Sequence, residues 1–162
     1  MNRFAIVVAL LGLAPASATA SNVIPGEEHC VVNVAAWDKL NIRTGPSSQA
    51  PVRGRKRYGS CGIHVVGICR SQWCPVEDGH SAGWVNRRFL SVVSPALYCT
   101  KGLTSGSLLN LRAYPSATSR LVKALKPHTC DISFLPYARK NWQKIRVQGF
   151  EGWILQYALS GQ

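Results

Sequence analysis

Leu40–Ser47, with the sequence Leu-Asn-Ile-Arg-Thr-Gly-Pro-Ser, occurs a second time in the chain. Leu109–Ser116, with the sequence Leu-Asn-Leu-Arg-Ala-Tyr-Pro-Ser, repeats it 69 positions later. The same offset, without a gap, places Gly83-Trp84 over Gly152-Trp153. Self-similarity at a fixed period is the signature of a repeated structural unit. We therefore predict a tandem repeat of one small domain.

The first twenty residues have the features of a secretory signal peptide. Arg3 supplies the positive start, Phe4–Leu13 is apolar, and Ala18-Thr19-Ala20 is a small-residue cleavage site. The apolar run is shorter than the ~20 residues that span a bilayer, although a retained anchor is the alternative. We expect residues 1–20 to be removed and the mature protein to be periplasmic or secreted, as in bacteria.

The cysteines are expected to form disulfide bonds. Each repeat has about sixty residues, a size at which a hydrophobic core alone is marginal. Six cysteines in an exported chain indicate a disulfide framework, but composition alone does not choose the pairing. If both repeats share one fold, one bond is made twice and the two remaining cysteines pair across a hairpin. The predicted bonds are Cys30–Cys61, Cys99–Cys130 and Cys69–Cys74.

A zinc site is the alternative use of the same side chains. Cys61, His64, Cys69 and Cys74 are residue types that bind zinc, but their spacing is not the usual one. The second repeat has Ser, Ala and Gln at the last three of these positions. An oxidising compartment also disfavours free thiolates. We expect neither a metal nor any other cofactor.

The mature sequence predicts strands and turns only. Residues 43–51 are rich in Gly, Pro and Ser and predict a loop. Residues 60–69 and 73–76 predict a hairpin, and five short strands per repeat predict a small closed barrel. The expected organisation is a lead-in (21–29), domain 1 (30–90), a linker (91–98) and domain 2 (99–160).

The chain resembles the bacterial SH3 domain family, often called SH3b. The resemblance rests on Leu-Asn-x-Arg-x-x-Pro-Ser, a Trp hairpin, and Gly-Trp-(Val/Ile) before a final Leu in both repeats. It implies an all-β fold of two consecutive small SH3-like barrels, each held by a disulfide. It also implies a binding role at the cell wall or envelope. The second repeat departs from the first at Ala113-Tyr114, and the acidic-aromatic start used for proline-rich peptides is missing.

Catalytic patterns are sparse. Cys61 and His64 form a close Cys/His pair, but Cys61 is assigned to a disulfide. Gly79-His80-Ser81-Ala82-Gly83 matches Gly-x-Ser-x-Gly, but it is predicted as a turn into a strand, whereas the catalytic motif needs a turn from a strand into a helix. We therefore expect a binding protein rather than an enzyme.

The charge balance points to an anionic partner. The sequence has 19 Lys+Arg against 7 Asp+Glu, a formal net charge of +12. Such a balance favours binding to anionic surfaces or polymers. For an exported chain these are peptidoglycan, another anionic envelope glycan or lipid, or an acidic envelope protein, and nucleic acid is not expected. The alternative function is an accessory module that docks onto an envelope or host protein.

Candidate ligand-binding residues come from three patterns. The basic stretch 53–58 is weaker in the second repeat, so it is either a docking patch or a solvated strand edge. Aromatic residues that do not recur at the 69-residue offset border predicted loops, whereas the recurring tryptophans are expected to pack. The recurring Asn and Arg of the repeated motif contact ligand or brace their own loop. The candidates are Trp37, Asn41, Arg43, Arg53, Arg55, Arg57, Tyr58, Asn110, Arg112, Tyr114 and Tyr137.

Overall fold

The computed structural model describes residues 22–161, so the predicted signal peptide lies outside the described residues. The described chain consists of strands, turns and two short 3₁₀ helices, which confirms the all-β class. Within it, no helix has the length and apolar character needed to cross a membrane.

The first repeat forms a seven-stranded antiparallel sheet in the order β3-β2-β6-β5-β4-β1-β7. A 3₁₀ helix (Arg87–Phe89) precedes its last strand. The strands are β1 (Glu28–Val31), β2 (Leu40–Arg43), β3 (Val52–Lys56), β4 (Ile63–Val65), β5 (Trp73–Glu77), β6 (Ala82–Asn86) and β7 (Leu90–Val92).

The second repeat has a five-stranded sheet, β10-β9-β13-β12-β11, and a two-stranded sheet, β14-β8. A second 3₁₀ helix (Gln156–Ala158) precedes its last strand. The strands are β8 (Tyr98–Thr100), β9 (Leu109–Arg112), β10 (Leu121–Leu125), β11 (Ser133–Arg139), β12 (Trp142–Val147), β13 (Phe150–Leu155) and β14 (Leu159–Gly161).

The two repeats share one plan. Strands β9, β10 and β14 and the second 3₁₀ helix have the bounds of β2, β3, β7 and the first 3₁₀ helix, shifted by 69 residues. Within residues 22–161 each repeat has seven strands, so the expectation of five was wrong. The sequence of β3, Val-Arg-Gly-Arg-Lys, lacks an apolar alternation, and β7 has only three residues. Neither strand therefore has a clear period-two signal. The arrangement is consistent with two SH3-like barrels, and the exact domain boundaries stay a prediction.

All three predicted disulfides are confirmed. The two bonds at equivalent positions each join cysteines 31 residues apart, and the third closes the hairpin between β4 and β5. In the described residues, which include all six cysteines, none is free. The cysteines of the zinc alternative are therefore used in disulfides. Three disulfides also indicate that the protein belongs in an oxidising, extracellular or periplasmic compartment.

Each repeat has its own aliphatic core. Ile42, Ile63 and Leu90 are fully buried in the first, and Leu111, Ile132 and Ile154 in the second. Along β2 and β13 the buried side chains alternate with half-buried ones, as expected for sheets with one face in a core.

The repeated Gly-Trp pair marks a close approach between paired strands. A Cβ on Gly152 of β13 would lie 2.8 Å from the Arg112 carbonyl oxygen and 2.7 Å from Leu111 Cγ. In the first repeat a Cβ on Gly83 would overlap the Arg43 carbonyl oxygen. Glycine is therefore required where β6 pairs with β2 and where β13 pairs with β9.

The two repeats pack directly against each other. Cys30, Val93, Leu135 and Tyr137 form a buried cluster, here called the junction cluster, with members from both repeats. The Tyr137 hydroxyl inside it donates a hydrogen bond to the Val31 carbonyl (2.7 Å).

An ion pair adds to this packing. Arg146 donates to both carboxylate oxygens of Glu28, at 2.7 and 2.9 Å, and these bonds lower the pKa of Glu28. Bidentate arginine–carboxylate pairs fix orientation as well as contact. The junction therefore has both an apolar and a charged component.

His29 lies buried on β1 in its neutral form. The Ile24 N–H donates to Nε2 (3.0 Å), which leaves Nδ1 to donate to the Glu27 carbonyl (2.9 Å). Burial lowers the pKa of His29 from its ordinary 6.5 and outweighs the opposing effects of the Glu27 carbonyl and carboxylate. A proton on Nε2 would also face the Ile24 N–H, so protonation breaks this contact.

We predict that His29 makes the fold sensitive to acid. Below pH 6.5 the unfolded chain binds a proton that the folded chain resists, so stability falls as pH falls toward the lowered pKa. The expected loss is about 1 kcal/mol per pH unit in that window. Urea unfolding from pH 7.5 to 5 should show this loss, and His29→Gln should reduce the slope. Equal slopes for both proteins would contradict the prediction.

Candidate binding groove and inter-repeat cleft

Two adjoining cavities form a groove on the first repeat. One has a volume of about 470 Å³ and the other about 360 Å³, and they share Asp38, Lys39 and Asn41 as lining residues. We call this surface the first-repeat groove. Its other lining residues are Asn33, Val34, Ala35, Trp37, Leu40, Arg43, Ser48, Arg55, Trp73, Asn86, Arg88 and Phe89.

The loop between β1 and β2 forms one wall of the groove. Asn33 adopts a left-handed backbone conformation (φ 57°), which asparagine tolerates better than most residues, and its side-chain amide donates to the Arg88 carbonyl (2.9 Å). A turn closes where the Asp38 N–H donates to the Ala35 carbonyl (3.0 Å). Trp37 lies inside this turn and is 91% exposed. The turn therefore exposes the Trp37 indole ring to solvent instead of packing it in the hydrophobic core.

The groove is positively charged. Lys39, Arg43, Arg55 and Arg88 line it, and Asp38 is the acidic side chain among its lining residues. Arg88 lies over the Phe89 ring at 4.4 Å from its centroid. Arg55 Nε donates to the Asn41 side-chain oxygen (3.2 Å), which orients its guanidinium beside the groove. A concave surface with exposed cations and aromatic faces suits an anionic ligand with a ring or apolar face.

The basic stretch lies on an outer strand of the sheet, since within residues 22–161 β3 pairs with β2 and with no other strand. Of its candidates only Arg55 lines the groove; Arg53 Nη1 donates to the Ala82 carbonyl (3.3 Å), and Arg57 is exposed beyond the end of β3. Lys56 points the other way and contacts the Asp78 carboxylate (2.6 Å).

The contact with Lys56 helps to lower the pKa of Asp78. Burial alone would raise the pKa of Asp78, but hydrogen bonds from Lys56 and from the N–H groups of His80 and Ser81 lower it to about 2. Lys56 is thus engaged in the fold. Arg53, Arg55 and Arg57 are the exposed cations of this stretch.

The repeated arginines brace their own loops. Arg43 Nη1 donates to the Ala50 carbonyl (2.8 Å), and Arg112 Nη1 donates to the Ser119 carbonyl (2.7 Å) at the equivalent position. Asn110 is exposed on β9, away from the first-repeat groove. The structure thus brings Trp37, Asn41, Arg43 and Arg55 together, and places Asn110 and Arg112 in the other repeat.

The tyrosine candidates meet at a different place, between the repeats. They line a cavity of about 450 Å³, here called the inter-repeat cleft. The Tyr58 and Tyr137 rings meet edge to face at 5.1 Å, and burial raises the pKa of both phenols. Tyr137 was expected to border a loop and to offer a surface for ligand, but it is buried in the junction cluster. The cleft is lined by Tyr58, Gly59, Ala113, Tyr114, Pro115, Tyr137, Ala138, Arg139, Lys144 and Trp153.

Several lining residues were missed from the sequence. Lys39 and Arg88 in the groove, and Arg139 and Lys144 in the cleft, carry charge into these cavities. The offset of 69 residues contained a usable signal, because Lys39, Arg88 and Lys144 align with Leu108, Tyr157 and Pro75. A cation that is present at a position in one repeat and missing from the equivalent position in the other is not required by the shared fold.

Comparison of the sequence with protein-family profiles and with curated proteins finds no match. Two solved structures are similar to the chain. NlpC2 from Trichomonas vaginalis has 15% identity and a TM-score of 0.38, with 84% of this chain and 48% of that chain covered. NlpC1 from the same organism has 18% identity and a TM-score of 0.38, with 96% and 51% covered. The chain thus spans about half the length of these structures.

Proposed function

We propose that the protein is a non-catalytic, exported binding protein whose first-repeat groove binds peptidoglycan or another anionic polymer of the cell envelope. The observation that carries this proposal is the convergence of Trp37, Arg55 and Arg88 on one concave surface. The resemblance to bacterial SH3 domains and the predicted signal peptide favour an envelope partner. The three disulfides agree with an oxidising compartment.

The chemistry of the groove is specific to the first repeat. Trp37, Arg55 and Arg88 align with Gly106, Ala124 and Tyr157 in the second repeat. Because both repeats form the same strands, the fold does not require the indole or these cations. A binding role explains why they lie together on one repeat.

The charge of the groove supports attraction to an anionic polymer. Within residues 22–161 the ion pairs of acidic side chains involve Lys56, Lys144 and Arg146, and none of these lines the groove. Cations without an acidic partner attract anions over about 10 Å at 0.1 M salt. The aromatic faces of Trp37 and Phe89 add contact area.

Sedimentation with purified, protein-free bacterial sacculi tests the proposal. The wild-type protein should pellet with the sacculi, and binding should weaken as salt increases. Trp37→Ala and Arg55→Gln should each reduce affinity by about tenfold, since each removes one aromatic or charged contact. Both side chains are exposed, so the variants should fold normally.

Matched controls lie in the second repeat. Tyr157→Ala removes a 71% exposed aromatic ring, and Arg120→Gln removes an exposed cation, neither in the groove. Both variants should bind like the wild type. Wild-type protein that stays in the supernatant would reject the wall as partner and favour docking onto an envelope or host protein. Pelleting unaffected by Trp37→Ala and Arg55→Gln would reject the groove.

A further inference from the structure

The inter-repeat cleft presents aromatic faces that neither core uses. Tyr58 is 52% exposed and comes from the first repeat, whereas Tyr114 is 71% exposed and comes from the second. The half-buried Trp153 and the buried ring of Tyr137 also line the cavity. Its volume of about 450 Å³ lies in the range of sites that hold small ligands.

These side chains are not needed to build the repeat. Tyr114 and Lys144 align with Gly45 and Pro75 in the first repeat, where the equivalent loop and strand form without them. Tyr137 on β11 aligns with Ile68, which lies beyond the end of β4. Tyr58 aligns with Pro127. Tyr137 also holds the repeats together through its hydroxyl, so its presence has a structural reason. The Tyr58 ring packs edge to face on Tyr137 but stays half exposed, and the Tyr114 ring is largely exposed, so both present aromatic surface to the cleft.

The cleft also favours negative charge. Arg139 is exposed at its edge, and Lys144 Nζ lies 5.2 Å from the centroid of the Tyr137 ring. Lys144 also contacts Glu151 at 3.4 Å, which reduces its charge effect, but Glu151 does not line the cleft. With two cations and no acidic side chain among the residues that line it, the cleft complements an anion.

The backbone beside the cleft is not available for an added peptide strand. The carbonyls of Leu135 and Tyr137 on β11 accept hydrogen bonds from Gln143 Nε2, at 2.6 and 3.1 Å. The Phe134 N–H donates to the Ser94 hydroxyl oxygen (2.7 Å), and the Ser94 N–H donates to the Phe134 carbonyl (3.0 Å). Strand addition requires free groups at a sheet edge. Recognition in the cleft therefore depends on ring faces and side-chain cations.

We propose that the inter-repeat cleft is a second binding site, which takes a carboxylate-bearing sugar ring of an acidic glycan. The flat face of the sugar packs on Tyr114 and Tyr58, and its carboxylate contacts Arg139 and Lys144. Because the cleft contains side chains of both repeats, the site exists only when the junction is formed. This proposal does not depend on the first-repeat groove, and either site can fail its test alone.

Calorimetric titration with defined tetrasaccharides tests the proposal. The probes are oligogalacturonate and hyaluronate, which have rings and carboxylates, with maltotetraose as the neutral ring control and tetraglutamate as the charge control. At least one acidic tetrasaccharide should bind at least about tenfold more tightly than either control, because only it has both features. Tyr114→Ala and Arg139→Gln should each weaken that binding by about tenfold.

Two matched controls lie outside both cavities. Tyr157→Ala removes an exposed aromatic ring and Arg120→Gln removes an exposed cation, and both should leave tetrasaccharide binding unchanged. Near-UV circular dichroism of each variant checks that the junction is intact. The proposal is overturned if neither acidic tetrasaccharide binds, if either control binds equally well, or if Tyr114→Ala and Arg139→Gln have no effect.

Discussion

Replacing Cys30 and Cys61 together by alanine should lower the free energy of unfolding by about 4–5 kcal/mol. The bond joins residues 31 apart, and in the chain-entropy description a loop of that length contributes roughly 3–4 kcal/mol. Cys30 is also fully buried in the junction cluster beside Leu135 and Tyr137. Removing its sulfur therefore leaves a space at the contact between the repeats, which adds to the loss.

The repeat supplies a matched control for this effect. Cys99→Ala with Cys130→Ala removes a bond of the same separation, but both cysteines there are only half-buried and lie outside the junction cluster. The expected loss is about 3–4 kcal/mol. Urea unfolding followed by circular dichroism measures both. Equal losses would mean that the junction cluster does not contribute, and a loss near zero for either pair would contradict the role of the repeated bond.

Substituting Gly83 by alanine should destabilise the protein by about 3 kcal/mol. The added Cβ would overlap the Arg43 carbonyl oxygen and lie 2.8 Å from Ile42 Cγ2. Backbone on one side and a fully buried side chain on the other leave little room for adjustment. Gly152→Ala should have a similar effect, because the equivalent contacts are with Leu111 and Arg112.

Gly45→Ala is the control for this prediction. A Cβ on Gly45 would meet only Ala50 Cβ at 3.7 Å, an ordinary contact. Its stability should therefore change by less than about 0.5 kcal/mol. Thermal unfolding of the three variants provides the comparison. If Gly83→Ala and Gly152→Ala are as stable as Gly45→Ala, the close approach of these glycines to β2 and β9 is contradicted.

The fold was largely predictable because the two repeats of the sequence can be aligned with each other. The offset of 69 residues selected the cysteine pairs and located β2 and β9, and the structure confirms these features. Strand β3 was not predictable, since an edge strand with charged side chains has no apolar alternation. The contact between Glu28 and Arg146 joins residues 118 apart and leaves no local pattern.

The sequence predicted which individual residues are candidates for binding, but not which of them lie together in one cavity. Absence from the other repeat identified Trp37, Tyr58 and Tyr114 as side chains that the fold does not require. Sequence could not show that Trp37 belongs to the groove and the tyrosines to the cleft, because that division depends on how the repeats pack. Tyr137 illustrates the limit, since the packing of the repeats buries it.

Chemical-shift mapping with soluble, enzymatically released wall fragments tests whether the first-repeat groove binds the envelope. We expect titration into ¹⁵N-labelled protein to shift the Trp37 indole N–H and the side-chain N–H signals of Arg55 and Arg88, while the control signals at Arg120 stay fixed. Shifts confined to residues outside the first-repeat groove, or no shifts at saturating fragment, would contradict the claim that this groove binds the envelope.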